Sequence, residues 1–117
     1  MPSHHQRSAE LSEVAGAISR ALRRSDRTAS VAESLTSGRI ASYLGAAEAA
    51  SDWFCGGVVA YTSDVKYKVL DVDQGPVITA SCARQMAHGV ANLMGSDLAL
   101  SVTGVGGPDP VEDQPTG

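Results

Sequence analysis

Three polar stretches carry the side chains able to do chemistry. The first is Glu33-Ser34-Leu35-Thr36-Ser37-Gly38, which follows a short β-capable run at 28–32. The second, Tyr61 to Lys66, closes the apolar run 56–61. The third, Thr103 to Gly107, follows the alternating Leu98, Leu100 and Val102. A serine on a strand-to-helix turn has two readings. Its hydroxyl can be an exposed nucleophile, with nearby backbone N–H groups to hold an oxyanion. Otherwise it caps the following helix or touches an anion there. Lys66 is one of two lysines, with Lys68. Beside Ser34 it would serve as general base, provided burial or a neighbouring cation lowers its pKa from about 10.4. On an exposed helix it is only a solvated charge. Tyr61 either relays a proton, stacks on a ligand ring or fills the core. Residues 103–108, Thr-Gly-Val-Gly-Gly-Pro, have a phosphate loop's composition. They lack the Lys-Ser/Thr of a P-loop and the GxGxxG register, so a plain glycine turn is the other reading.

The elements that must position these groups can be read from periodicity. Leu11, Val14, Ala15, Ile18 and Leu22 share one helix face within 8–25. Glu10 and Glu13 come early and Arg20, Arg23 and Arg24 late, as the helix dipole favours. Residues 1–7 read as a loose tail. Residues 28–32 are a first strand, and Ile40, Ala41, Tyr43 and Leu44 restart a helix that Gly45 can end. Residues 46–55 show no regular pattern. The run 56–61 is a second strand, apolar enough for burial on both faces. Thr62 or Ser63 caps a short helix that turns Val65, Val69 and Leu70 inward. Gly75-Pro76 is a turn, and Val77 and Ile78 a brief extended piece. Thr79 caps a helix with Cys82, Met86, Val90 and Leu93 down one side, and Gly95 stops it. Residues 97–103 form the third strand, and 104–117 a loop. Strands separated by helices imply crossover connections and an α/β layered sheet. In such sheets ligands gather where the strands end, and all three polar stretches lie at strand ends. Three strands are few for a two-faced sheet, so either a partner supplies the open edge or the sequence stops short of its fold.

The 117 residues amount to one domain. With 43% hydrophobic and 19% charged residues, disorder and coiled coil fit poorly. Aromatics are only 4%, so the core must be aliphatic. The net charge of −4 argues against broad nucleic-acid binding. The sequence contains neither an apolar run of membrane length nor a visible secretory signal, so no membrane partner and a cytoplasmic location are expected. Cys55 and Cys82 form no CxxC, which favours a buried thiol over a disulfide or metal site. His88 reads as a structural helix residue. No metal or cofactor is expected.

Three blocks, taken in order, resemble the C-terminal domain of the CinA (competence/damage-inducible) family. They are Val31-Ala32-Glu33-Ser34-Leu35-Thr36-Ser37-Gly38, the run from Phe54 to Lys66, and Ser101-Val102-Thr103-Gly104-Val105-Gly106-Gly107-Pro108. The resemblance spans 8–117. It implies an α/β/α three-layer sandwich with a mixed, mostly parallel sheet, here incomplete at the C-terminus. It also implies a nicotinamide-nucleotide amidase, which hydrolyses the carboxamide of nicotinamide mononucleotide to the nicotinate nucleotide and ammonia. On that pattern Ser34 matches the nucleophile, Lys66 the base and Tyr61 a residue assisting it. Thr103 matches a position beside the substrate. Thr36, Ser37, Gly38, Gly104 and Gly106 are further substrate-binding candidates, and the 103–107 loop or the helix after Ser34 is expected to hold the phosphate. The family habit of dimers, with the open sheet edge, leads to an expected homo-oligomer. This sequence departs from the pattern at Ser37-Gly38, where two glycines are usual, at Gly106 and at Gly75-Pro76. The family domain also continues past the position of Gly117, and nothing here matches its substrate-side arginine. A non-catalytic nucleotide-binding or oligomerisation module of the same fold is the competing reading.

Overall fold

A computed structural model describes residues 3–105 together with Glu112 and Gln114. The first helix, α1 (His4–Ser25), begins four residues earlier than the apolar periodicity indicates. The cause is polar: Ser3 and Gln6 form a reciprocal capping box, so residues assigned to a tail become the first turn. Asp26 ends α1 in the left-handed region, with Arg23 and Arg24 in the last turn. Strand β1 (Ala29–Glu33) follows, then α2 (Arg39–Gly45), α3 (Ala50–Trp53), β2 (Phe54–Val59), α4 (Ser63–Leu70), α5 (Ala80–Met94) and β3 (Leu98–Ser101). Thr62 and Thr79 cap α4 and α5, and Gly95 terminates α5 with a positive φ.

The sheet order is β2-β1-β3, and both pairings are parallel. The mixed pairing expected from the family resemblance is therefore not seen among the described strands. Alternate β1 residues face opposite layers. On one side Ala32 joins Val58, Ala99 and the α4–α5 residues Leu70, Cys82, Met86 and Val90. On the other, Ala29 joins Leu22, Leu44 and Trp53 beneath α1–α3. This is the α/β layered arrangement expected. Trp53 is buried and donates its indole N–H to Ser19, whose hydroxyl donates to the Glu48 carbonyl. Through Ser19, α1 thus holds both ends of the otherwise unpatterned stretch around 46–55.

Several expected burials are corrected. β2 is two residues out of register with the expected strand and lies at an edge of the described sheet. Its burial alternates, with Cys55 and Val59 exposed, so it is not covered on both faces. In α4 the inward residues are Lys66 and Leu70, while Val69 is exposed. Leu93 and His88 lie on the outer side of α5, because the buried stripe runs through Cys82, Met86 and Val90. Val77 and Ile78 form no strand, and their N–H groups are taken by the Glu112 carboxylate. β3 has no outer neighbour among the described residues. Leu98 and Leu100 beside that edge, with Leu11 and Val14 on α1, are exposed. Helix α4 approaches α5 closely at Gly89, where an added Cβ would overlap the Leu70 carbonyl.

Candidate active site

The parallel order brings the three C-terminal strand ends together. The Ala60 N–H donates to the Glu33 carbonyl (2.8 Å), and the Val102 N–H to the Ala32 carbonyl (3.1 Å). The residues that follow β1, β2 and β3 therefore open onto one cavity of about 310 Å³. Its walls are Ser34 and Leu35 from the first turn, Tyr61 to Ser63 and Lys66 from the second, and Thr103 to Val105 from the third. Val77 and Ile78 close a fourth side that the sequence had not marked as functional. Thr103 fastens that side by donating its hydroxyl to the Val77 carbonyl at 2.7 Å.

Ser34 and Lys66 meet inside. Lys66 Nζ is 2.9 Å from Ser34 Oγ, and both side chains are buried. The same ammonium position lies 2.8 Å from the Ala60 carbonyl and 3.1 Å from that of Tyr61. A neutral amine has two hydrogens and one lone pair. Two carbonyl acceptors satisfy the hydrogens, and the lone pair is left for the Ser34 hydroxyl. Burial lowers the Lys66 pKa below that of an ordinary lysine, and it outweighs the opposing influence of the Cys82 and Glu112 side chains. Burial likewise raises the Cys82 thiol and keeps it protonated. No carboxylate ion-pairs with Lys66 among the described residues; Lys68, by contrast, pairs with Asp64 on the surface at 3.2 Å.

Tyr61 reaches the pair through its backbone carbonyl, and its ring is exposed on the cavity rim. Thr36, Ser37 and Gly38 do not line the cavity. Positive φ values at Ser37 and Gly38 turn the chain away into α2. Ser37 thus adopts, with a side chain, a conformation that glycine takes freely. The Gly38 N–H is consumed by Glu33, as are those of Ile40 and Ala41, at 3.1, 3.1 and 2.8 Å. The start of α2, one of the two places expected to hold a phosphate, already has these N–H groups on a carboxylate. Among the described residues, the Leu35 and Thr36 N–H groups of this turn donate to no protein acceptor. Gly104 lies on the cavity wall, whereas Gly106 falls outside the described residues. Sequence reasoning missed Glu33 as a capping group, although an acid directly after an apolar strand and before a hydroxyl-rich turn was a usable signal. It also missed the Ala60 carbonyl, which a side-chain inventory cannot show. No helix of the described residues is long and apolar enough to cross a membrane.

The class defined so far is a parallel α/β domain with a serine and a buried lysine paired at the strand ends. The CinA C-terminal domain model matches residues 11–117, and the chain belongs to that family. It is 44% identical over 95 residues to a competence-damage inducible protein of Bacillus subtilis, covering 77% of this chain and 23% of that protein. A CinA-like protein of Rippkaea orientalis is 39% identical over 100 residues, covering 81% and 24%. The chain thus spans about a quarter of these relatives' length. A crystal structure of a CinA superfamily protein from Escherichia coli superposes with a TM-score of 0.87 at 31% identity, covering 91% of this chain and 65% of that one. A competence/damage inducible protein from Agrobacterium tumefaciens gives 0.84 at 30% identity, covering 91% and 68%.

Proposed function

We propose that the domain hydrolyses the carboxamide of nicotinamide mononucleotide by way of a serine ester. One observation carries the reading: a buried lysine amine stands 2.9 Å from a serine oxygen inside the cavity at the strand ends. Lys66 removes the Ser34 proton, and the Ser34 oxygen attacks the amide carbon. The protonated Lys66 returns that proton to the departing nitrogen, and ammonia leaves. Lys66 then takes a proton from water as water attacks the ester. Nicotinate mononucleotide departs and the Ser34 hydroxyl is restored. The Leu35 and Thr36 N–H groups are the donors of the turn left for the oxyanion. Thr103, whose hydrogen is spent on Val77, offers its oxygen as an acceptor to the substrate's NH₂ group. None of these steps draws on a metal or cofactor.

The test is ammonia release from nicotinamide mononucleotide, measured beside calorimetric binding. Turnover by the native chain, with binding but no turnover by Ser34→Ala, is the expected pattern. Binding without turnover in both supports the non-catalytic module instead. The proposal includes a cytoplasmic site of action in pyridine-nucleotide recycling. It also includes self-association, for which the β3 edge, unpaired among the described residues, and its exposed Leu98 and Leu100 are the support. A monomer at high concentration in sedimentation would remove that part.

A further inference from the structure

The residue preceding the serine has no part in the steps above, yet it is wholly buried and hydrogen-bonded both to α2 and to the residue that follows β2. We infer that Glu33 is the positioning residue for the Ser34–Lys66 pair, its carboxylate acting as an internal cap that holds the nucleophile's turn. The inference rests on Ser34 being the nucleophile of the proposed reaction.

The geometry is a closed circuit. Through its side chain, Glu33 accepts the N–H groups of Gly38, Ile40 and Ala41. Helix α2 has no side-chain cap at its own N-cap, Gly38, so Glu33 supplies from five residues upstream what a serine or aspartate at that position would give. The ends of the turn 34–37 are thereby tied to one carboxylate. Through its backbone, the Glu33 carbonyl accepts the Ala60 N–H. The Ala60 carbonyl accepts from Lys66 Nζ, and Lys66 Nζ meets Ser34 Oγ. Ser34, Glu33, Ala60 and Lys66 form a ring of covalent and hydrogen-bonded links, with α2 clamped to it by the carboxylate. Burial opposes ionisation of Glu33. The Thr36 hydroxyl and the Ala41, Ile40 and Gly38 N–H groups outweigh it, and the carboxyl sits below its ordinary pKa. The Thr36 oxygen is buried with no hydrogen-bond partner among the described residues, so the three N–H groups are the hydrogen-bonded donors to the carboxylate. The group is therefore an anion facing donors only, and an amide cannot replace it. In Glu33→Gln one of the positions facing an N–H becomes an NH₂ donor.

The experiment compares the native chain with Glu33→Gln and Glu33→Asp. It reads covalent labelling of Ser34 by a fluorophosphonate, amide hydrogen exchange at Ile40 and Ala41, and kcat and KM for the amide. We expect Glu33→Gln to lose at least tenfold in labelling rate and kcat, with KM within about twofold of the native value. Exchange protection at Ile40 and Ala41 falls in parallel, and Glu33→Asp, which keeps the charge on a shorter arm, recovers part of each. Native labelling rates in a folded variant that has lost the exchange protection overturn the inference. So does failure of both variants to fold, which assigns Glu33 to the core alone. Labelling of native Ser34 without ammonia release sinks the amidase reading while leaving the Glu33 comparison decisive. An unlabelled Ser34 in the native chain overturns both.

Discussion

Replacing Lys66 by methionine removes the amine while keeping an unbranched stem in the same packing. The stem is buried, so the cavity wall survives, but the hydrogens offered to the Ala60 and Tyr61 carbonyls are lost. An unpaired buried carbonyl costs about 1–3 kcal/mol. Removal of an amine that burial disfavours offsets part of this, so a cooperative melt near the native midpoint is expected. The effect on rate is much larger. A positioned general base contributes about 10²- to 10⁴-fold, or roughly 2.7–5.5 kcal/mol of barrier. An ordinary lysine would be neutral in only about 0.04% of molecules at pH 7. The burial that lowers the Lys66 pKa raises that fraction, and each tenfold gain corresponds to about 1.4 kcal/mol. The native pH–rate profile should rise with pH to a plateau below 10.5, the ordinary lysine value. Stability has the same sign. The folded state holds the proton less tightly than the unfolded chain, so native stability rises as pH climbs through the folded pKa towards that of free lysine. Lys66→Met should show neither rise. Ammonia release and thermal melts across pH 6.5–10 form the assay. An unaltered profile in Lys66→Met, in height and inflection, would remove Lys66 as the base.

Glu33 carries linkage of the same sign, but in the acid range. Its folded pKa is depressed, so its stabilisation is complete above the ordinary carboxylate value and fades as pH falls through the lowered one. The stability difference between native and Glu33→Gln chains, taken from urea melts, should therefore be largest near neutrality and shrink in acid. A difference that grows in acid would contradict this. Gly89→Ala places a methyl group against the Leu70 backbone and should cost about 1–3 kcal/mol, with turnover falling as α4 shifts Lys66. Chemical denaturation and kcat check it together. Trp53→Phe strips Ser19 of its indole donor and should cost about 1–3 kcal/mol in the same melts while leaving kcat unchanged, since Trp53 is remote from the cavity.

Periodicity in the sequence marked all three strands and the four longer helices, because each pairs a short apolar run with a turn residue or cap. It could not show which residues lie outside the pattern. The start of α1 depends on a two-residue polar exchange between Ser3 and Gln6 rather than on any apolar spacing. Lys66 looked like a solvated charge by type, but it shares the buried face of α4 with Leu70, where that helix packs closely on α5 at Gly89. Ser34, Lys66, Tyr61 and Thr103 were legible as a cluster because parallel strands deliver their C-terminal ends to one side. The roles of Thr36, Ser37 and Gly38 were not, because the direction of a turn depends on backbone torsions at Ser37 and Gly38 that residue types leave open. The sequence position of Glu33 signals a cap, but not its partners, for a related reason. Its partners are backbone N–H groups five to eight residues ahead, and these exist as a donor set only once α2 has formed.

The most direct measurement is mass analysis of the chain quenched during turnover of nicotinamide mononucleotide. The account predicts a nicotinoyl-nucleotide ester that maps to the peptide holding Ser34, accumulates before steady state and is absent from Ser34→Ala, which releases no ammonia. Ammonia release by Ser34→Ala at the native rate, with no adduct at Ser34 in either chain, would contradict it.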